Sequence, residues 1–283
     1  PPGVPIDYWL GRNLRGPVSL EIRDAEGRLV RGFSSDEKPQ TVRAERYFEE
    51  DWLKPELRLA ASPGMHRFVW NLRRERPRAI RYEYSIRAIF GEDTPTEVEG
   101  AFVLPGRYTV ELKTAGGAYR APLTVRLDPR VKASEADLVA LDLFTRELDE
   151  DLEQAAVADT ERESAHAALD ELAKRLHGDA AHPALVEQVV SLAQATRAAS
   201  DSEGLGAAST VLSAIDADAE SADRAPTQGQ RHVASQYSTA LRKAVLAWRE
   251  LRDHQLAVLD ARLRAAGLAT LGEPPAARAS LGQ

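Results

Sequence analysis

The chain changes its composition abruptly between residues 128 and 134, and this change limits what it can fold into. Residues 1–129 contain 12 of the 16 prolines, 11 of the 18 glycines and 14 of the 17 aromatic residues. The residues that follow are rich in alanine and leucine. Short segments separated by turns favour a β-sandwich, whereas long uninterrupted stretches of Ala, Leu, Glu and Arg favour helices. The sequence therefore predicts an α+β protein made of two segregated modules.

Length and charge narrow the class of protein further. A chain of 283 residues is long enough for two cores. No apolar run approaches the roughly 18 residues of a membrane span, so we expect no membrane-spanning helix. Residues 1–130 carry 22 Lys and Arg against 19 Asp and Glu, and residues 131–283 carry 15 against 25. The acidic second half would repel phosphates, which argues against nucleic acid. The absence of cysteine excludes disulfides, thiol nucleophiles and Cys-metal sites.

The first module has the pattern of an immunoglobulin-like or fibronectin type III-like β-sandwich over residues 1–129. Segments that alternate apolar and polar residues, as half-buried strands do, are 18–23, 29–31, 66–72, 108–112 and 123–127. Turn signals separate them at Asp24–Gly27, Pro105–Gly106 and Gly116–Gly117. Phe68, Trp70 and Leu72 share one face, which predicts that Trp70 is in the core. Residues 36–60 do not fit the pattern and are expected to form an irregular insertion.

The second module has the pattern of an antiparallel up-down-up helical bundle over residues 134–270, followed by a flexible tail at 271–283. Ser134–Asp137 is a capping signature, and Gly178 ends the first helix after about 40 residues. Pro183 suits the first turn of a second helix, which falters at 200–204. A third helix is expected from Thr227 to Gly267. The first helix is acidic and the last is basic on their polar faces, so their charges either set the register of the two helices or serve only as solvated surfaces.

Several stretches resemble one protein family. These stretches are Pro1-Pro2-Gly3 with Ile6–Leu10, Gly16–Ile22, Gly64–Arg73, Leu104–Val110, Leu123–Arg130, Ala225–Thr227 and Trp248 to Leu268. They are similar to the C-terminal region of bacterial secreted proteins with sortilin-like, BNR-repeat β-propellers that are labelled glycosyl hydrolases. The Gly64–Arg73 stretch departs from the family pattern at His66 and Asn71, where Asn and Asp are expected. Residues 78–99 are longer and more aromatic than usual.

The resemblance implies a context and a location. A β-propeller is expected N-terminal to Pro1, as the partner of this chain within a longer parent protein. Any glycosidase activity of that parent is expected in the propeller. A secreted or periplasmic location follows from the same resemblance, and no cofactor is expected. The first hypothesis is therefore a non-catalytic accessory and interaction region of the propeller protein.

Two further functions remain open from the residues themselves. A carbohydrate-binding module that presents substrate to the propeller is the second hypothesis. It would need exposed rings for stacking, and the candidate carbohydrate or partner contacts are Trp9, Tyr47 and Trp52. A hydrolase in its own right is the third choice, because no nucleophile motif occurs.

Three acidic or glycine-rich motifs can each be interpreted either as a functional site or as an ordinary structural feature. Glu49-Glu50-Asp51 beside Trp52 has the residue types of a glycosidase pair, but such runs are usually solvated. Asp216, Asp218 and Glu220 have the 1-3-5 spacing of a calcium loop without its later ligands. Gly204–Ser209 imitates a dinucleotide fingerprint, yet no strand precedes it, so a helix break is the better interpretation. The sequence thus predicts no catalytic and no metal-binding residue.

Overall fold

The computed structural model describes residues 3–38, 58–84, 96–198, 204–268 and 270–271. Antiparallel sheets occupy the N-terminal half of the chain and helices the C-terminal half, which confirms the predicted mixed α+β class. Most of the predicted insertion at 36–60 and of the predicted tail at 271–283 lies outside the described residues.

Two antiparallel sheets carry most of the strands. The first pairs β1 (Val4–Leu10) with β4 (Gly64–Trp70), with Val4 opposite Trp70 and Leu10 opposite Gly64. The second has the order β3-β2-β7-β8, and its strands are β2 (Ser19–Arg23), β3 (Leu29–Ser34), β7 (Gly106–Thr114) and β8 (Gly117–Val125). A short third pair joins β5 (Glu83–Tyr84) to β6 (Thr96–Glu97). The predicted turn at 24–27 separates β2 from β3, and the predicted turns at 105–106 and 116–117 lie where β7 and β8 begin.

Side chains from both larger sheets form one hydrophobic core. Its members include Tyr8, Leu10, Phe68 and Trp70 from the first sheet and Leu20, Ile22, Val30, Tyr108 and Val110 from the second. Trp70 is fully buried, as the alternation of β4 predicts, and its indole meets the Tyr108 ring edge-on at 6.0 Å. Leu72 differs from the prediction of a continuous strand. β4 ends at Trp70, and Leu72 has a positive φ of 63° while still packing against the core.

The helices follow the predicted signals closely at their ends. α1 (Glu135–Arg175) begins after Ser134, whose Oγ accepts the Asp137 N–H at 3.1 Å while Asp137 Oδ2 accepts the Ser134 N–H. Gly178 follows with φ 81°, as a C-terminal cap requires. α2 (Pro183–Ala198) starts at the predicted proline, and α3 (Leu205–Ala219) follows.

The last helical stretch is not the single α-helix expected from Thr227 to Gly267. It consists of α4 (Gln228–Glu250), a π-helical segment (Leu251–Leu256) and α5 (Ala257–Ala265). A π-helical turn takes more residues than an α-helical turn, so it rotates the side chains that follow it. Leu241, Val245 and Trp248 are buried before this segment and Leu259 and Leu263 after it.

The chain divides into two compact units, each discontinuous in sequence. The first comprises Pro1–Pro77, Tyr82–Asp149 and Asp216–Thr227, and the second comprises Arg78–Arg81, Glu150–Ile215 and Gln228–Gln283. The predicted domain limits, 1–129 and 134–270, stay predictions, because compactness does not measure independent folding.

Charged pairs in the second unit join α1 to the last helical stretch. Arg242 donates to Asp151 at 2.7 Å and 3.1 Å, and Arg252 Nη1 donates to Glu161 Oε2 at 2.6 Å. Glu161 also accepts the Trp248 indole N–H at 3.0 Å. The partners in both ion pairs are 91 residues apart in sequence, so the two helices run in the same direction at this contact. Two of the predicted acidic residues thus pair with two of the predicted basic ones, and Asp151 is buried rather than solvated. That these charges set the helix register stays a prediction.

Candidate functional site

Trp9, the one candidate contact that the structure describes, stands on the outside of the first sheet. Its side chain is 68% exposed on β1, directly opposite Met65 of β4, which is 66% exposed. Strand alternation explains this placement, because Tyr8 and Leu10 on either side of Trp9 are buried in the core. The other two candidates, Tyr47 and Trp52, lie outside the described residues, as do Glu49, Glu50 and Asp51.

An ion pair lies beside Trp9 on the same face. Asp7 and Arg67 are opposite each other in the β1–β4 register, and Arg67 Nε and Nη2 donate to the two Asp7 oxygens at 2.7 Å and 2.8 Å. Hydrogen bonding from Arg67 lowers the pKa of the exposed Asp7 carboxyl. Asp7, Trp9, Met65 and Arg67 together form the outer β1–β4 surface, which combines a free indole with an acidic and a basic planar group.

A second cluster, which the sequence did not predict, lies inside the first unit. We call it the arginine–carboxylate cluster: Arg73, Arg74, Asp142, Asp149, Asp216 and Glu220. It draws on the segment after β4, the first part of α1, and the end of α3. Asp216 and Glu220, from the acidic motif at 216–220, are four residues apart, so a helical end places them on the same side. Asp218 between them is exposed.

Arg73 is the central cation of the cluster. Its Nη1 donates to the Glu220 carboxylate and, at 2.8 Å, to the Gly100 carbonyl oxygen. Its guanidinium carbon lies 3.7 Å from the centre of the Phe102 ring, in cation–π contact. Glu220 Oε1 in turn accepts the Phe102 backbone N–H at 3.0 Å. Arg73 and Glu220 therefore hold the 100–102 loop between them.

Arg74 anchors the same loop to α1. Its backbone N–H donates to the Ala101 carbonyl at 2.9 Å, and its Nη2 donates to Asp142 Oδ1 at 3.0 Å. Asp142 is 7% exposed, so this ion pair is largely shielded from water.

The loop approaches the arginine segment closely enough to require glycine at position 100. A Cβ added at Gly100 would lie 2.3 Å from the Glu75 carbonyl oxygen and 2.5 Å from the Arg74 carbonyl oxygen. The Val103 N–H continues the contact by donating to the Leu72 carbonyl at 2.9 Å. The backbone thus fixes the position of the Ala101 and Phe102 N–H groups that face the carboxylates.

Two carboxyl groups of the cluster are poised to hold protons. The pKa of Asp149 is raised to about 7: burial is the main cause, the Ala101 N–H and the two arginines oppose the rise, and the Glu220 charge adds to it. Burial, followed by the charges of Asp149 and Glu220, raises the pKa of Asp216 well above its ordinary value, with Arg73 opposing. Within the described residues, Asp149 Oδ1 and Asp216 Oδ1 are enclosed and have no hydrogen-bond partner. Both carboxyls therefore favour the neutral form.

The cluster is enclosed, and this limits the reactions in which its side chains can take part. Asp216 is 2% exposed, so its carboxyl is shielded from a substrate in solution. In the part of the chain that the structure describes, no group of three or more His, Cys, Asp or Glu side chains is arranged to hold a metal ion. The Gly204–Ser209 motif leads into α3 rather than following a strand.

No family model, curated protein or solved structure matches this chain. Among the described residues, no helix is long and apolar enough to cross a membrane. Sequence reasoning missed the arginine–carboxylate cluster because its members come from stretches far apart along the chain. Two partial signals existed: the Arg73–Arg74 pair just after the Trp70 strand, and the regular spacing of acids at 216, 218 and 220.

Proposed function

We propose that this chain is a non-catalytic accessory and interaction region of a secreted or periplasmic protein with a sortilin-like β-propeller, which is its partner. The proposal rests on the position in the fold of the residues that resemble the family. Two of the resembling stretches form β1 and β4, which pair with each other over seven residues. Trp70 is buried, and its indole N–H donates to the Arg73 carbonyl at 2.9 Å. These motif residues build the fold, as an accessory region requires.

An immunoglobulin-like sandwich followed by an up-down-up bundle is the architecture that we propose with it. The shared core of the two larger sheets supports the sandwich. The Tyr108 hydroxyl donates to the Leu104 carbonyl at 2.6 Å, four residues upstream, in the manner of the tyrosine corner of such domains. The equal sequence separation of the Arg242–Asp151 and Arg252–Glu161 pairs supports first and last helices that run in the same direction.

The coding sequence upstream of Pro1 provides the first test. We expect propeller repeats there, behind a signal peptide. The encoded propeller, expressed separately, should bind this chain in isothermal titration calorimetry. Upstream sequence without propeller repeats, or a propeller that shows no binding, would contradict the proposal.

Carbohydrate binding is the second candidate, and the outer β1–β4 surface favours it. The free face of an indole stacks on the C–H face of a pyranose ring, and the neighbouring carboxylate and guanidinium can bond to hydroxyl groups. We expect a glycan array to show binding that Trp9→Ala abolishes. Tyr119→Ala is the matched control, because Tyr119 is a 60% exposed ring on β8, which belongs to the other sheet. Equal loss in both variants, or no glycan bound, would remove this candidate.

Hydrolysis by this chain stays the third choice. The only buried pair of raised-pKa carboxyls among the described residues, Asp149 and Asp216, is closed to substrate at Asp216. A screen of aryl-glycoside, ester and peptide substrates should show no turnover. Turnover that disappears in Asp149→Asn would reverse this ranking.

A further inference from the structure

The arginine–carboxylate cluster joins three parts of the first unit through a few polar bonds. The Ala101 N–H lies close enough to Asp149 on α1 to lower the pKa of that carboxyl, and Glu220, just after α3, accepts the Phe102 N–H at 3.0 Å. Arg73, just after β4, bonds to Glu220 and to the Gly100 carbonyl. The segment Asp216–Thr227 belongs to the same compact unit as this loop. The bonds of Glu220 therefore tie that segment to the 100–102 loop.

The charges of the cluster balance only while part of it is protonated. Three carboxyls, Asp149, Asp216 and Glu220, face Arg73. Arg74 is paired with Asp142. Arg146, one turn further along α1, has its Nη1 3.7 Å from Asp142 Oδ2. On the loop side, Glu99 lies near Arg73 at 3.9 Å and pairs with Arg76 at 2.6 Å, so this pair adds no net charge. Ionisation of both aspartates would leave uncompensated negative charge in an enclosed space, which is costly.

We propose that Asp149 and Asp216 form a proton-binding site that controls the contact between the segment Asp216–Thr227 and the 100–102 loop. The contact is stable while both aspartates are protonated, and it weakens when they lose their protons. In the protonated state, Glu220 is the one carboxylate of the three, and Arg73 neutralises it. When Asp149 and Asp216 ionise, both repel Glu220, whose bonds to Arg73 and Phe102 hold the segment in place. The raised pKa of Asp149, to about 7, puts its ionisation in the neutral range.

Hydrogen exchange of the two loop amides tests the proposal directly. The exchange of the Ala101 and Phe102 N–H groups would be measured by NMR on the full chain at pH 6 and pH 9, and corrected for the intrinsic rate at each pH. We expect their protection to fall by at least about tenfold at pH 9, because local opening governs such exchange. Amides in the ladder between β2 and β7 provide the internal reference and should keep their protection.

Two variants separate the proton site from a general effect of pH. In Asp149→Asn combined with Asp216→Asn, the protection of Ala101 and Phe102 should no longer depend on pH, because both amides are neutral. Asp218→Asn is the matched control: it removes a charge from the same helix at an exposed position and should leave the pH dependence intact. Unchanged loop protection in the natural chain from pH 6 to pH 9 would overturn the proposal, and so would a pH dependence that survives in the double variant.

A second measurement covers the case in which the double variant does not fold. The ¹³C carboxyl resonances of the natural chain would be followed through pH 3–10. Midpoints for Asp149 and Asp216 at or above the neutral range support the proton site. Midpoints below about 5, near the ordinary value for aspartate, would overturn it.

Discussion

Replacing Asp149 by asparagine should stabilise the first unit at neutral and alkaline pH and have little effect in acid. The folded chain holds the Asp149 proton more tightly than the unfolded chain, because burial raises the folded-state pKa to about 7 from 3.8. Between these two values the folded state binds more protons than the unfolded state. The free energy of unfolding therefore falls as the pH rises from about 4 to about 7, and stays low above that range.

The size of this effect follows from the shift. A difference of about 3 pKa units corresponds to roughly 4 kcal/mol, at about 1.4 kcal/mol per unit. Asparagine has nearly the shape of aspartate but carries no charge. The variant should accordingly gain up to about 4 kcal/mol over the natural chain at pH 8, and almost nothing at pH 4.

Urea unfolding followed by tryptophan fluorescence, repeated at pH 4.5, 6, 7 and 8, measures this difference. Asp137→Asn is the control with the opposite sign, because the Ser134 hydroxyl and backbone N–H lower the pKa of the exposed Asp137. The charged Asp137 side chain stabilises the folded chain at neutral pH and loses this effect in acid. The Asp137→Asn variant should therefore be destabilised at pH 7 and match the natural chain at low pH. A constant difference between Asp149→Asn and the natural chain across this range would refute the reasoning.

Three other predictions concern stability. Trp70→Ala should cost about 3–5 kcal/mol in urea unfolding, because Trp70 is fully buried, whereas Trp9→Ala should change little; equal effects would show that β4 is out of register. Gly100→Ala should cost about 1–3 kcal/mol because its Cβ would collide with backbone. Gly32→Ala is the control and should cost little stability, because a Cβ there meets nothing within 4 Å. A Gly100→Ala variant as stable as the natural chain would contradict the close approach. A double-mutant cycle on Arg242 and Asp151 should give a coupling of about 1–2 kcal/mol, since Asp151 is buried; zero coupling at low salt would show that these charges do not set the helix register.

The sequence alone determined the features that depend on neighbouring residues. The separation of strands from helices follows from proline, glycine and aromatic content. The start of α1 after Ser134, the cap at Gly178 and the start of α2 at Pro183 each depend on one turn of backbone. The burial of Trp70 follows from strand alternation, which needs only the residues on either side.

The tertiary structure decided what depends on residues far apart in the chain. Alternation places Tyr8 and Trp9 on opposite faces of β1, but only packing against the second sheet shows that Trp9 is the exposed one. The π-helical segment at Leu251–Leu256 interrupts a stretch whose local pattern is helical throughout. The arginine–carboxylate cluster joins residues 73–74, 142–149 and 216–220, and Asp216 looks like any surface acid in the sequence. Its raised pKa comes from burial and from the charges of Asp149 and Glu220, and only the folded chain brings these together.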